Sequence, residues 1–366
     1  MLYPLLLHGR HSPAECLYEP LGPWMVPAHF GSPDAEYRIL RQAAGLIDYS
    51  IYATIEATGN DRLDFLHRIL TNDIRRLKPG QGARSALLNA NGKFLAELIV
   101  LALEDRALLL CEASRSAAIL LELERFHFSE DVSLANRERS HAVLAIQGPQ
   151  ALEALQSFSA AAPASPAIGD HWPAQRNLAW ENLEAARFVY LPLTRAPGLL
   201  CVAPADAAIP LWNALRQTAS AGLSPCGWHA LNTARIEDGF AWFGVDADES
   251  NILGETGLDD ALISETKGCY VGQEIVARMR TYGSANKKLV GLMLSGNTIP
   301  PVGAQLFRDG EEIGRVTSAC FSPALRRAIA LGYVKRPYYE PETKLDVLFP
   351  DQVEPAAVAR LPFLSA

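Results

Sequence analysis

Between Lys267 and Glu274 the chain reads KGCYVGQE, one cysteine between two glycines, with a lysine before it and an amide and a carboxylate after it. A thiol acts as a nucleophile or soft metal ligand only as thiolate. The charge of Lys267 favours thiolate, and so does a helix predicted over Gln273 to Met279, whose N-terminus would follow close behind the sulfur. Gly268 and Gly272 leave backbone open to a close ligand. Cys269 is therefore a candidate functional thiol, with an inert packed cysteine as the alternative. Gln273 and Glu274 are candidates to meet a ligand at the helix mouth. Lys267 reads equally as a surface lysine, and Glu274 as a first-turn residue that complements the helix dipole. Tyr270 reads as packing, since a phenol with a pKa of about 10 carries protons poorly at neutral pH.

The other signals narrow the class. A chain of 366 residues, 49% hydrophobic and 20% charged, is globular and long enough for two or three domains. Its formal charge of −8 gives no general pull toward nucleic acid or anionic lipid, and the basic clusters at Arg75–Arg76–Lys78, Arg278–Arg280–Lys287–Lys288 and Arg326–Arg327 read as solvated faces. The six cysteines form no Cys-x-x-Cys pair and no zinc-finger spacing, which suggests a reducing, cytoplasmic setting, with Cys111 and Cys201 as small hydrophobes inside strands. The opening MLYPLLL lacks a basic n-region and contains Pro4, so neither a signal peptide nor a membrane anchor is expected. There is no phosphate-binding glycine loop and no Gly-x-Ser-x-Gly elbow.

The elements that must position these residues can be read from punctuation and period. Ser32-Pro33 predicts a helix over Asp34 to Ala44, with Gly45 as its stop. A strand at Ala53 to Ala57 leads through Gly59 into a helix with Leu63, Leu66, Ile69 and Leu70 on one face. Asn91-Gly92 predicts a hairpin between Ser85–Leu88 and Lys93–Leu103. A strand at Ala107 to Cys111 and a helix at Arg115 to Phe126 complete the set. The pattern then restarts: IEATGNDRLDFL from Ile55 and LAIQGPQALEAL from Leu144 both run from strand through glycine into an amphipathic helix. A Pro/Ala-rich loop is expected over Ser159 to Gln175. From Lys288 short strands separated by Gly and Pro read as a small barrel. The expected fold class is α+β: two ferredoxin-like α+β domains arranged around a channel with a C-terminal small antiparallel β-barrel, bounded at 1–140, 141–284 and 285–366.

The run LIDYSIYATIEATGNDRLDFLHRILTNDIRRLKPGQ from Leu46, AIQGP at Ala145 to Pro149 and EIGRVTSACFSPALRRAIALGYVKRP resemble the aminomethyltransferase (T-protein) family of the glycine cleavage system. KGCYVGQE resembles the signature of one branch, the YgfZ family of folate-binding proteins. The resemblance implies three domains around a channel holding tetrahydrofolate or a one-carbon derivative. It also implies a role in assembling or repairing iron-sulfur client proteins, in a family whose bacterial members are also described as tRNA-modifying; a monomer is expected. The alternative it carries is a folate-dependent aminomethyltransferase or related demethylase. The chain departs from T-proteins at Ala96-Glu97, where they have two aspartates, at Leu193–Gly198, which lacks their pterin-gripping glutamate, and at Cys111-Glu112-Ala113 in place of Val-Asn-Ala.

For a folate the resemblance implies a carboxylate for the pterin's donor edge, an apolar slot and cations for the glutamate tail. Glu97, on the strand after Asn91-Gly92, is the candidate carboxylate, with a solvent-side strand residue as the alternative. Arg235 and Glu237 match the family's Arg-x-Glu and are candidates to fix the ligand; an intrahelical or interdomain ion pair is the rival. Asn72, in Leu70-Thr-Asn-Asp73, is a candidate at a helix exit, or a simple cap.

Overall fold

Three short strands, β1 (Tyr3–Pro4), β2 (Leu17–Leu21) and β3 (Trp24–His29), precede the first helix and form a small sheet in the order β1-β3-β2. The structure is a computed structural model that describes residues 3–9, 15–158, 175–180, 183–217, 223–282 and 285–364. Helix α1 (Pro33–Gln42) begins as its sequence dictates, the Ser32 hydroxyl accepting from the Ala35 N–H at 3.4 Å with proline in the first turn. Gly45, expected as the helix stop, is instead the first residue of β4 (Gly45–Asp48). A Cβ there would lie 2.6 Å from Cys226 Sγ, so the glycine answers to close packing and not to a left-handed cap.

The chain forms two compact units that interleave in sequence: residues 1–88, 95–231 and 261–271 in the first, and 89–94, 232–260 and 272–366 in the second. The first unit holds the repeat. Its first half runs β5 (Tyr52–Thr58), α2 (Arg62–Ile69), β6 (Gly82–Leu88), β7 (Phe94–Ala102), β8 (Arg106–Glu112), α3 (Ser116–Glu124), β9 (Ser133–Asn136). Its sheet order is β6-β7-β8-β5-β9. The second half repeats this as β10 (His141–Gln147), α4 (Ala151–Phe158), β11 (Gln175–Trp180), β12 (Leu183–Tyr190), β13 (Gly198–Pro204), α5 (Ala208–Gln217), β14 (Ser224–Pro225). Its order is β11-β12-β13-β10-β4-β14. The first half is a ferredoxin-like α+β arrangement with one extra edge strand, β6, whereas the second carries two extra strands, β11 at the edge and β4 between β10 and β14. The two strand-to-helix glycines do the same job. Gly59 has φ +97° and a Cβ would sit 2.0 Å from Asp131 O; Gly148 has φ +132° and a Cβ would sit 2.3 Å from Ala43 O. Residues 159–174 of the expected Pro/Ala-rich loop lie outside the described residues.

Each half has its own core. Phe65, Leu66, Ile69 and Leu70 of the α2 region pack on Ile55, Leu98, Leu109 and Cys111, while Leu155 and Leu211 pack on Leu46, Leu144, Phe188 and Cys201. The strand cysteines are the small hydrophobes the sequence suggested, and burial pushes the Cys111 thiol up to about 12.

Helix α6 (Trp228–Glu237) and the short α7 (Asp259–Leu262) each run across the division between units, and α8 (Gln273–Tyr282) belongs to the second. The second unit is dominated by six strands, β15 (Lys287–Leu294), β16 (Gln305–Arg308), β17 (Glu311–Ser322), β18 (Arg327–Lys335), β19 (Lys344–Leu348) and β20 (Val353–Ala359). They close in the order β15-β18-β17-β16-β19-β20 around Leu292, Leu306, Val316, Val334 and Val347. The small barrel expected from Lys288 onward is therefore present. No helix among the described residues is long and apolar enough to cross a membrane.

Candidate functional site

Strands alternate their side chains, and on β6 and β7 this sets Arg84 and Glu97 against each other. Arg84 Nη2 lies 2.7 Å and Nε 2.8 Å from the same carboxylate oxygen, Glu97 Oε1. The side chains are only 14% and 11% exposed. Burial disfavours charge on Arg84, but the carboxylate beside it overrides that and holds the guanidinium above its ordinary pKa. Because both contacts fall on Oε1, Oε2 keeps acceptor capacity for another N–H. Asn72 supports this pair from behind: its Nδ2 donates to Arg84 O at 2.8 Å, its N–H to Ser85 Oγ at 2.9 Å, and its Oδ1 accepts from Asp73 N. Asn72 thus positions the strand that carries Arg84.

An aromatic group adjoins the pair. Tyr52, on β5, is near enough to Glu97 and Arg84 for their charges to act on its hydroxyl, and burial raises that phenol well above its ordinary pKa, so it remains a neutral donor. Tyr52 stacks on Tyr49 at 5.5 Å between ring centroids, and Tyr49 stacks on Trp228 at 5.1 Å with planes 9° apart. Arg84, Tyr52, Tyr49 and Trp228 were not singled out in the sequence. The one signal for Arg84 is a cation placed in the otherwise small and apolar run GARSALL.

The octapeptide behaves differently from its reading as a unit. Cys269 is exposed and the other five cysteines are buried. Gly268 faces open space, and Gly272 turns the chain at φ +80°. Lys267 is buried, at 8% exposure, with Nζ donating to the carbonyls of His67 and Leu70 at the C-terminal end of α2 and lying 5.1 Å from the Tyr270 ring centroid. Its charge is thus committed to a helix C-terminus, the end that attracts cations. Iodoacetamide should accordingly modify about one thiol per native chain quickly and all six after denaturation. Mass spectrometry of the peptide containing Cys269 checks this, and fast labelling of a second site would contradict the burial described.

Burial pushes Lys267 down from 10.5 to about 8, Asp73 opposing and Arg75 assisting. Between those values the unfolded chain holds a proton that the folded chain has released, so this group makes stability rise with pH from about 8 to 10.5. The neutral amine still has two N–H bonds for its two carbonyls. Urea midpoints measured across that window should climb in the native chain and lose that component in Lys267→Met; equal slopes would remove the account.

Arg235 and Glu237, in the second unit, are not open to a ligand. Both are 0% exposed. Arg235 donates to Asn232 Oδ1 at 3.0 Å, Phe240 O at 3.0 Å and Ser318 Oγ at 2.6 Å, pairs with Asp246, and lies 4.3 Å from the Trp242 ring centroid. Glu237 accepts from the Ser322 hydroxyl. The Arg235–Asp246 pair is neither intrahelical nor interdomain, since Asp246 lies beyond the end of α6 and in the same unit. Glu274 is 82% exposed and pairs with Arg278 one turn on at 2.8 Å, a surface helix pair, and Gln273 opens α8 half-buried.

Residues 7–265 match the GCVT N-terminal domain, and residues 287–364 match the glycine cleavage T-protein C-terminal barrel domain. The chain belongs to the glycine cleavage T-protein family. It is similar to the aminomethyltransferase of Bacillus subtilis (strain 168), 29% identical with 93% of each chain covered. It is also similar to that of Rubrobacter xylanophilus, 32% identical with 93% of this chain and 88% of the relative covered. Among solved structures, the glycine cleavage system aminomethyltransferase T from Bartonella henselae superposes with a TM-score of 0.85 at 25% identity, covering 100% of this chain and 98% of the other. These findings correct the iron-sulfur assembly and tRNA-modification reading drawn from KGCYVGQE. The similarity runs over nearly the whole length to T-proteins named as aminomethyltransferases, whereas that reading stood on eight residues. Among the described residues no cluster of three or more His, Cys, Asp or Glu side chains is placed to hold a metal.

Proposed function

We propose that this chain transfers the methylene of an aminomethylated carrier to a reduced folate, with release of ammonia and the free carrier thiol, as an aminomethyltransferase or a related folate-dependent demethylase. The observation that carries the reading is the match of both T-protein domains, in order, together with full-length relatives that bear that name. Family membership supports folate binding in general. What supports the reading in the first unit is a carboxylate with one oxygen taken by Arg84, a buried cation that fixes its charge, and the Tyr52 phenol beside them. A reduced folate supplies the amine nitrogen that takes the one-carbon unit. Glu97 would receive an N–H of the reduced ring on Oε2 and hold the proton lost from that nitrogen, while Arg84 keeps the carboxylate ionised and oriented. Asn72 acts through Arg84 as a positioning residue.

The test has two arms. Calorimetric titration with tetrahydrofolate should show saturable binding. Incubation with tetrahydrofolate and an aminomethylated lipoyl carrier should yield methylenetetrahydrofolate. Binding without product, using a carrier that a known aminomethyltransferase accepts, would overturn the transferase reading while leaving the folate site standing.

A further inference from the structure

The second unit carries a feature that the proposed transfer does not use. Glu255, Asn286, Lys287, Lys335, Arg336 and Pro337 line an open cleft of about 640 Å³, a size common for small-molecule sites. Three of these side chains are cationic and one is acidic. Lys287 on β15 and Lys335 on β18 stand directly opposite each other in register. Like charges in that arrangement destabilise a sheet. Arg336 follows at once in sequence and is exposed.

The protein neutralises these charges poorly. Lys335 Nζ donates to a backbone carbonyl, Glu312 O, at 2.8 Å, and neither Lys335 nor Arg336 is ion-paired among the described residues. Lys287 pairs loosely with Glu255, at 3.8 Å, whose Oε2 already accepts from Ile252 N at 3.1 Å in capping a short 3-10 turn, and its charge also acts on Asp248. Beneath Lys287 lies Tyr333, with Nζ 4.9 Å from its ring centroid. Tyr333 is 3% exposed and its hydroxyl has no hydrogen-bond partner among the described residues. Burial raises its pKa, so it stays a donor. Three cations lining a cleft against a single lining carboxylate, Glu255, leave a net positive field there. The guanidinium of Arg336 adds a planar fork suited to a carboxylate or phosphate.

We propose that this cleft at the end of the β15–β18 pair is an anion site for a small organic molecule carrying two or more carboxylate or phosphate groups. Lys287, Lys335 and Arg336 supply the charge, and Asn286 and Pro337 complete the wall. The site is independent of whether the first unit binds folate.

Calorimetry on the whole chain with two probes, inorganic pyrophosphate and tri-γ-glutamate, tests it. At low salt at least one probe should bind saturably at one site per chain. The double variant Lys335→Gln/Arg336→Gln, which changes only exposed side chains, should weaken that binding tenfold or more. Tighter binding of tri-γ-glutamate assigns a polycarboxylate, and tighter binding of pyrophosphate a phosphorylated ligand. The proposal is overturned if neither probe saturates, or if the double variant binds as tightly as the native chain.

Discussion

Glu97→Gln should fold normally and transfer one-carbon units to tetrahydrofolate about a hundredfold or more slowly than the native chain, the range expected when a group that holds a proton in the reaction is lost. The amide keeps the shape of the side chain and can still accept from Arg84, which already contacts Oε1 at 2.7 and 2.8 Å. What it loses is the negative charge at Oε2. Glu97→Ala should behave differently, because it leaves the Arg84 guanidinium largely buried without its counter-charge, a change that typically costs about 3 kcal/mol or more. A double variant, Arg84→Met/Glu97→Gln, separates the two effects: it should recover stability toward the native value and recover no activity. Steady-state kcat/KM for tetrahydrofolate, measured beside urea unfolding, reads both. If Glu97→Gln retains native kcat/KM, the carboxylate is a structural partner of Arg84 and the site lies elsewhere.

Most of the fold was legible because it rests on local rules. The Ser32 cap, the turn glycines at 59 and 148 and the Asn91-Gly92 hairpin are decided within a few residues of chain, and Gly92 indeed adopts φ +70°. The duplicated half could be seen because its strand–glycine–helix signature repeats. Gly45 was misread for the complementary reason. Its constraint comes from Cys226, far away in sequence, together with Leu40 of the preceding helix, and the chain alone does not show that these two close on it. Several short strands, among them β1, β9 and β14, were missed because they are pairing partners of two to four residues with too little length to show a period.

The site divides along the same line. Glu97 could be singled out because a carboxylate in an apolar strand demands a partner, and it has one in Arg84. That partner was not legible, since nothing in Arg84's own neighbourhood reveals that it faces Glu97 across two strands. Lys267 shows the limit of arguing from adjacency: one residue from Gly268 in sequence, its ammonium is held by carbonyls some two hundred residues earlier. Neighbours in a motif share a backbone and need not share a function.

Arg235 makes the same point at the largest energetic scale. Its guanidinium is enclosed with Asp246, whose other oxygen accepts from Thr317 Oγ1 at 2.7 Å and Ser318 Oγ at 2.6 Å, so helix α6 and strand β17 are joined through one buried charge pair. Arg235→Ala would leave Asp246 buried and unpaired and remove the face stacked on Trp242, and a loss of roughly 3–5 kcal/mol is expected, enough to unfold a marginal unit. Arg235→Lys should rescue little, because an ammonium cannot satisfy Asn232, Phe240, Asp246 and Ser318 from a single nitrogen. A ligand-gripping arginine predicts the reverse pattern: Arg235→Lys would keep its urea midpoint and lose affinity for tetrahydrofolate. Measuring both on the same preparation decides between a clamp and a contact, and the saturated hydrogen bonding of the guanidinium argues for the clamp.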